Sequence, residues 1–246
     1  MMLKLQQVSV KSPIILKPLL LDISACVQPG DRIALMGVAG SGKSLLLRLI
    51  NRLISPCSGC LYFGESNYQN IDPVWLRQKI TLVLPEPRLL GMRVSEAIAY
   101  PLRLRKMSED ELTTRVNLWV ERLAIPPDIL ALTEVQLSSR QQQWISLARG
   151  LVIQPDILLL DEPTANLNPQ QQQCLAQILT DFYQGENMAI VATHNPDFAR
   201  QFATRVWYLH QGELVDDLPV EQVNWAEFTE VLQSQKTAVS QEWDNL

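Results

Sequence analysis

Residues 32–53 read RIALMGVAGSGKSLLLRLINRL. A short β-type run, Arg32 to Met36, leads into a turn with glycine at 37, 40 and 42, and from Lys43 to Leu53 apolar residues recur at helical spacing. The turn Gly37-Val38-Ala39-Gly40-Ser41-Gly42-Lys43-Ser44 fits the eight-position pattern of a phosphate-cradling loop, placed as such a loop must be, between a strand and a helix. Each part has a physical role. Glycines let backbone N–H groups turn onto phosphate oxygens, and the helix N-terminus adds positive potential. Lys43 reaches the β and γ phosphates, and Ser44 is placed to ligate Mg²⁺.

Further β-type runs lie at Leu3 to Val10, Ile23 to Val27, Ile80 to Leu84, Ile157 to Leu160, Met188 to Ala192 and Val206 to Leu209. Most are separated by helix-length segments, which predicts a largely parallel sheet covered by helices. From Pro87 to Val135 no strand pattern occurs, while Val94 to Leu104 and Glu109 to Leu123 carry helical spacing, with Ser95 and Ser108 near the starts. We expect one domain over residues 1–232, with a helical insert at about 87–150 and a polar tail at 233–246. No internal repeat is present, so one nucleotide site per chain is expected.

The run Ile157-Leu-Leu-Leu160 ends in Asp161 and Glu162, followed by Pro163-Thr164. A buried strand ending in adjacent carboxylates can separate two tasks. Asp161 is placed to hold Mg²⁺, and Glu162, displaced by strand alternation, is placed to polarise an attacking water.

Composition narrows the class. The 246 residues are 47% hydrophobic and carry a net charge of −5, with basic residues scattered, so the electrostatic footprint of a nucleic-acid binder is absent. No run approaches the roughly 18 to 20 apolar residues of a membrane span, and the opening MMLKLQQV has no apolar signal region. The chain is expected in the cytoplasm, and any role at a membrane requires a partner that crosses it. Cys57-Ser-Gly-Cys60 has ligand-like spacing but no second pair nearby; Cys26, Cys57, Cys60 and Cys174 are expected to be free thiols, with Cys57 in a turn entering a strand.

The ordered motifs carry a resemblance: the phosphate loop, then Leu137-Ser138-Ser139-Arg140-Gln141, then Leu158-Leu-Leu-Asp161-Glu162-Pro-Thr-Ala-Asn-Leu167, then Thr193-His194. The chain resembles the ATP-binding cassette (ABC) ATPase domain over nearly its whole length. That resemblance implies an α/β P-loop NTPase fold, RecA-like, with a largely parallel sheet between helices, an N-terminal antiparallel β subdomain and the helical insert. It implies an ATP-hydrolysing subunit of an ABC transporter that uses ATP and Mg²⁺. Residues 37–45 would bind ATP, Ser44 and Asp161 the metal, and Lys43, Glu162 and His194 would serve catalysis, with His194 a sensor of the γ-phosphate. It also implies a head-to-tail dimer, homo- or heteromeric, in which Ser138, Ser139, Arg140 and Gln141 act in trans on the partner's nucleotide, and docking on transmembrane permease subunits at the inner face of the membrane. His210 matches no motif. A non-transport ABC ATPase and a cassette that binds ATP but hydrolyses it slowly are the alternatives.

Several positions depart from the family pattern. Leu45 replaces a usual threonine, at a cost on the order of 1 kcal/mol for one lost contact. Near Ser12, Pro13 and Ile14 no aromatic ring offers to stack on adenine, worth roughly tenfold in affinity, with Ile14 or Ile15 as apolar substitutes. Pro85 stands where a glutamine is usual and can neither ligate Mg²⁺ nor orient water. Asn168 replaces an acid. The two glycines of the signature are Ser139 and Arg140: the arginine either crowds the phosphate or acts as an arginine finger across the dimer.

Overall fold

A computed structural model describes residues 1–12, 18–183, 185–226 and 228–230. Pro13, Ile14 and Ile15, expected beside the adenine, and the polar tail at 233–246 lie outside the described residues.

The chain runs β1 (Leu3–Lys11), β2 (Pro18–Val27), β3 (Arg32–Met36), α1 (Lys43–Ile50), β4 (Ser58–Phe63), β5 (Ser66–Asn67), α2 (Pro73–Lys79) and β6 (Ile80–Val83). It continues with α3 (Val94–Leu104), α4 (Glu109–Arg122), α5 (Ser139–Leu151), β7 (Ile157–Asp161), α6 (Pro169–Phe182), β8 (Met188–Ala192), α7 (Pro196–Phe202), β9 (Arg205–His210) and β10 (Glu213–Pro219).

Two sheets form. One is antiparallel, in the order β2-β1-β4-β5. The other runs β10-β9-β3-β8-β7-β6, parallel throughout except for β10 on its edge. In the second sheet both faces are covered, so its central strands β3, β7 and β8 are near-continuous apolar runs, interrupted only by Arg32 at the start of β3 and Asp161 at the end of β7, and residue parity decides the layer each side chain enters. Ile33, Leu35, Ile157, Leu159, Met188 and Ile190 share a core with the leucines of α1 and the inner face of the antiparallel sheet. Ala34, Met36, Leu158, Leu160, Ala189 and Val191 point the other way, into a core with α3 to α7.

α1 is shorter than its apolar spacing predicts. Asn51 leaves the helix and sends its side-chain amide to the Ile80 carbonyl at 2.5 Å, and Arg52 takes φ 57, so the pattern to Leu53 runs past the true end. β6 stops at Val83 and Leu84 is exposed, as suits the residue before Pro85. Cys57 precedes β4 directly, and all four cysteines are free.

Parallel strands β3, β7 and β8 end on one edge of the sheet, and the loops that leave them carry the phosphate loop, the two carboxylates and His194. The fold thus brings together segments more than a hundred residues apart at the carboxyl ends of adjacent strands, where open α/β sheets bind ligands.

Candidate functional site

The turn after β3 is shaped by glycine. At Gly37, with φ 152, an added Cβ would overlap the Leu209 carbonyl oxygen of β9, so the loop lies too close to the neighbouring strand for a side chain. Gly42 caps α1 in the left-handed region at φ 107. α1 also differs from its neighbours at this end. Asp72, Ser108, Ser138, Asn168 and Asn195 cap α2, α4, α5, α6 and α7 with side-chain oxygens, whereas α1 has neither a side-chain cap nor an acidic residue in its first turn. Its opening N–H groups have no intrahelical acceptors and present positive potential to an external anion.

Lys43 projects back over this loop. Its ammonium donates to the carbonyls of Gly37 at 2.7 Å and Val38 at 3.0 Å, and it lies 4.0 Å from a carboxylate oxygen of Glu162. Burial pushes the Lys43 pKa down, opposed by the charges of Glu162 and Asp161. Ser44, one residue on, donates from Oγ to Asp161 Oδ1 at 3.0 Å.

Asp161 shares parity with Ile157 and Leu159, so its carboxylate faces α1 and meets Ser44. It is 2% exposed, and its second oxygen, Oδ2, is buried with no hydrogen-bond partner among the described residues. Burial pushes its pKa up, the Ser44 bond opposes this, and the charge of Glu162 adds to it. A buried carboxylate with one unpaired oxygen beside a serine hydroxyl is a hard-oxygen donor set suited to Mg²⁺.

Glu162 reaches its place by a route that strand alternation does not predict. Alternation would send it into the helical layer opposite Asp161. Instead it takes φ 46, in the left-handed region, while its N–H still donates to the Ala192 carbonyl of β8 at 3.0 Å. That rotation carries the carboxylate toward Lys43 and His194. A non-glycine residue at positive φ costs on the order of 1–3 kcal/mol, and such strain concentrates at working sites. His194, on the loop after β8, places Nδ1 2.8 Å from Glu162 Oε2.

The residues expected to act in trans are placed differently. Ser138 and Gln141 are joined in a capping box at the start of α5: Gln141 Oε1 accepts from the Ser138 N–H at 2.9 Å, and Ser138 Oγ accepts from the Gln141 N–H at 3.3 Å. Ser139 and Arg140 are exposed in its first turn, and Arg140 Nε donates to the Asn166 carbonyl at 3.3 Å. Asn168 caps α6 through the Gln171 N–H at 2.8 Å. Pro85 is the second residue of the loop from β6 to α3, which is pinned where Arg149 donates to the Arg88 carbonyl at 2.6 Å and the Gly91 N–H to Glu134 at 3.2 Å.

Sequence reading passed over Gln172 and Asn195, whose side chains meet at 3.3 Å between the start of α6 and the residue after His194. Asn195 was legible as a cap residue before Pro196; no sequence signal separates Gln172 from the other glutamines at 170–173.

Residues 20–165 match the protein family described as ABC transporter. The phosphate import ATP-binding protein PstB of Saccharolobus solfataricus is 30% identical, over 92% of this chain and 89% of its own. The energy-coupling factor transporter ATP-binding protein EcfA2 of Lacticaseibacillus paracasei is 32% identical, over 79% and 70%. Among solved structures, a dimeric post-hydrolysis state of the ATP-binding cassette MJ0796 bound to ADP and Pi superposes with a TM-score of 0.81 at 27% identity, covering 89% of this chain and 98% of that one. The cbiO1 subunit of Clostridium perfringens, part of the ABC transporter complex cbiONQ, gives 0.80 at 25% identity, over 93% and 92%.

Proposed function

We propose a working mechanism from one premise: this chain belongs to the ABC transporter family, as an ATP-binding, ATP-hydrolysing subunit. The observation that carries the mechanism is the convergence of Lys43, Ser44, Asp161, Glu162 and His194 at the carboxyl ends of β3, β7 and β8.

In this reading the triphosphate lies along residues 37–45, its charge met by the loop N–H groups, the start of α1 and Lys43. Ser44 and Asp161 would hold Mg²⁺, which when bound neutralises charge on the phosphate oxygens. Glu162, held by His194, takes the proton of the attacking water. His194 orients that carboxylate and stands ready to hydrogen-bond the terminal phosphate.

A second cassette completes the site. Ser138, Ser139, Arg140 and Gln141 on the exposed start of α5 face the partner's nucleotide, an arrangement supported by the dimeric form of the MJ0796 cassette. Nucleotide binding then drives dimerisation, and release follows hydrolysis. Among the described residues no helix is long and apolar enough to cross a membrane. In this reading the chain docks on permease subunits at the inner face of the membrane, a placement supported by relatives named as transporter ATP-binding proteins. The loop from 84 to 93, with Leu84 and Leu90 exposed between the sheet and the helical insert, is the docking surface.

A second reading, a cassette that binds ATP but turns it over slowly, is favoured by Pro85 and Arg140. Gel filtration of the Glu162→Gln chain with and without Mg-ATP tests the dimer. We expect elution as a dimer only with nucleotide, and loss of that shift when Lys43→Ala is added. An elution volume of the Glu162→Gln chain that is indifferent to Mg-ATP contradicts it.

A further inference from the structure

The run Gln170-Gln171-Gln172-Gln173 opens α6, and its members are not equivalent. Gln170 and Gln173 are exposed, and Gln171 completes the cap with Asn168. Gln172 is partly buried and makes one bond with each end of its amide. Its Nε2 donates to the Leu167 carbonyl at 3.0 Å, and its Oε1 accepts from Asn195 Nδ2 at 3.3 Å.

The orientation of this amide is forced by its neighbours. Asn195 Oδ1 is engaged by the Phe198 N–H at 3.1 Å, as the cap of α7, so Asn195 can offer only its NH₂. Gln172 must therefore present oxygen to Asn195, which leaves its own NH₂ for a carbonyl. Leu167 supplies that carbonyl.

The two loops so joined are the two that carry the acid–base pair. Leu167 closes the loop that begins at Glu162, through bonds from Ala165 N–H to the Glu162 carbonyl at 3.3 Å and from Leu167 N–H to the Thr164 carbonyl at 3.1 Å. Asn195 follows His194 directly, and its N–H is held by Thr193 Oγ1 at 3.1 Å. We propose that Gln172 is a positioning residue: by tying Leu167 to Asn195 it fixes the spacing between the Glu162 and His194 loops, and hence their 2.8 Å contact. This rests on the reading of Glu162 and His194 as the hydrolytic pair.

The test is a double-mutant cycle in the full chain with steady-state ATP hydrolysis. Gln172→Met keeps length and bulk but makes neither bond; Gln172→Glu keeps the acceptor toward Asn195 and sets oxygen against the Leu167 carbonyl. Each is expected to lower kcat by about 5- to 10-fold, the scale of one or two weakened hydrogen bonds, with KM for ATP within about twofold. In a His194→Ala background neither should lower kcat further, because the contact they position is already gone. A melting temperature close to wild type shows that either variant is folded, and the second serves if the first is not. Unchanged kcat, a loss that appears in KM instead, or the same fold-loss on top of His194→Ala overturns the proposal. Full activity in Gln172→Met with an inactive Glu162→Gln refutes this inference alone, whereas an active Glu162→Gln refutes the reading on which it rests.

Discussion

Asp161 is held in a place that suits a cation better than it suits the bare chain. Burial raises its pKa above the ordinary carboxylate value of 3.8. A carboxyl that is harder to ionise in the folded state than in the unfolded state binds the extra proton on the folded side. Stability contributed by that proton is present at low pH and is lost as pH rises through the folded pKa, so the ionised carboxylate weighs more against the bare fold as pH rises. Asp161→Asn, which removes the buried charge, should therefore raise the melting temperature of the nucleotide-free chain at pH 7. The gain should shrink as pH falls toward 4, and Mg-ATP should stabilise the variant less than wild type. Thermal melting at two pH values, with and without Mg-ATP, reads all three; a variant no more stable than wild type at pH 7 contradicts the account. At this scale the sequence was legible in residue type and spacing: Lys43, Ser44, Asp161, Glu162 and His194 all come to one edge. What alternation misplaced was the direction of Glu162, because a left-handed φ at a non-glycine residue leaves no mark in composition.

Elements packed on the sheet transmit the same tight fit. Gly150, near the end of α5, is buried against Val83 at the end of β6, and a Cβ there would overlap Val83 Cγ2. Replacing glycine by alanine in a helix normally gains about 1 kcal/mol. Here the methyl group meets a β-branched side chain with one stiff rotamer, and overpacking costs about 1–3 kcal/mol. Gly150→Ala should be net destabilising in urea unfolding, and Val83→Ala in the same chain should relieve it; additive losses would show that the contact is not the cause. α3 and α4 were read from spacing to within a residue of their observed ends. α6 was passed over because Pro169 and the glutamines give its first turns no apolar periodicity; the signal was the capping box of Asn168 and Gln171 with proline at the first helical position. β10 was missed for a related reason: as an edge strand with Asp216 and Asp217 exposed, it lacks the apolar run that marks its buried neighbours.

For the whole molecule, the parity of the central strands explains how one sheet serves two cores, one with the antiparallel sheet and one with the helices. It also explains why the parallel architecture was visible in bare apolar runs. The proposed contribution of a partner rests in the sequence on motif order alone, and in the structure the first turn of α5, with Ser139 and Arg140, is exposed. In the proposed dimer, Arg140 is the residue that would meet the partner's nucleotide. In the single chain its guanidinium rests on the Asn166 carbonyl, and a side chain where close approach suits glycine obstructs before its charge helps. Replacing Ser139 and Arg140 together by glycine should raise turnover in a homodimer; a fall of about 10-fold or more would show Arg140 stabilising charge on the phosphate. In a heterodimer the change should act on the partner's site and leave this chain's own nearly constant.

The central claim is that Glu162 takes the proton of the attacking water while Lys43 and the glycine loop hold the nucleotide. Phosphate release and ATP affinity measured on the same preparations of wild type and Glu162→Gln test it most directly. The account predicts turnover lower by about 10² to 10⁴ with ATP affinity nearly unchanged. Turnover equal to wild type, or a loss explained by weaker ATP binding alone, would contradict it.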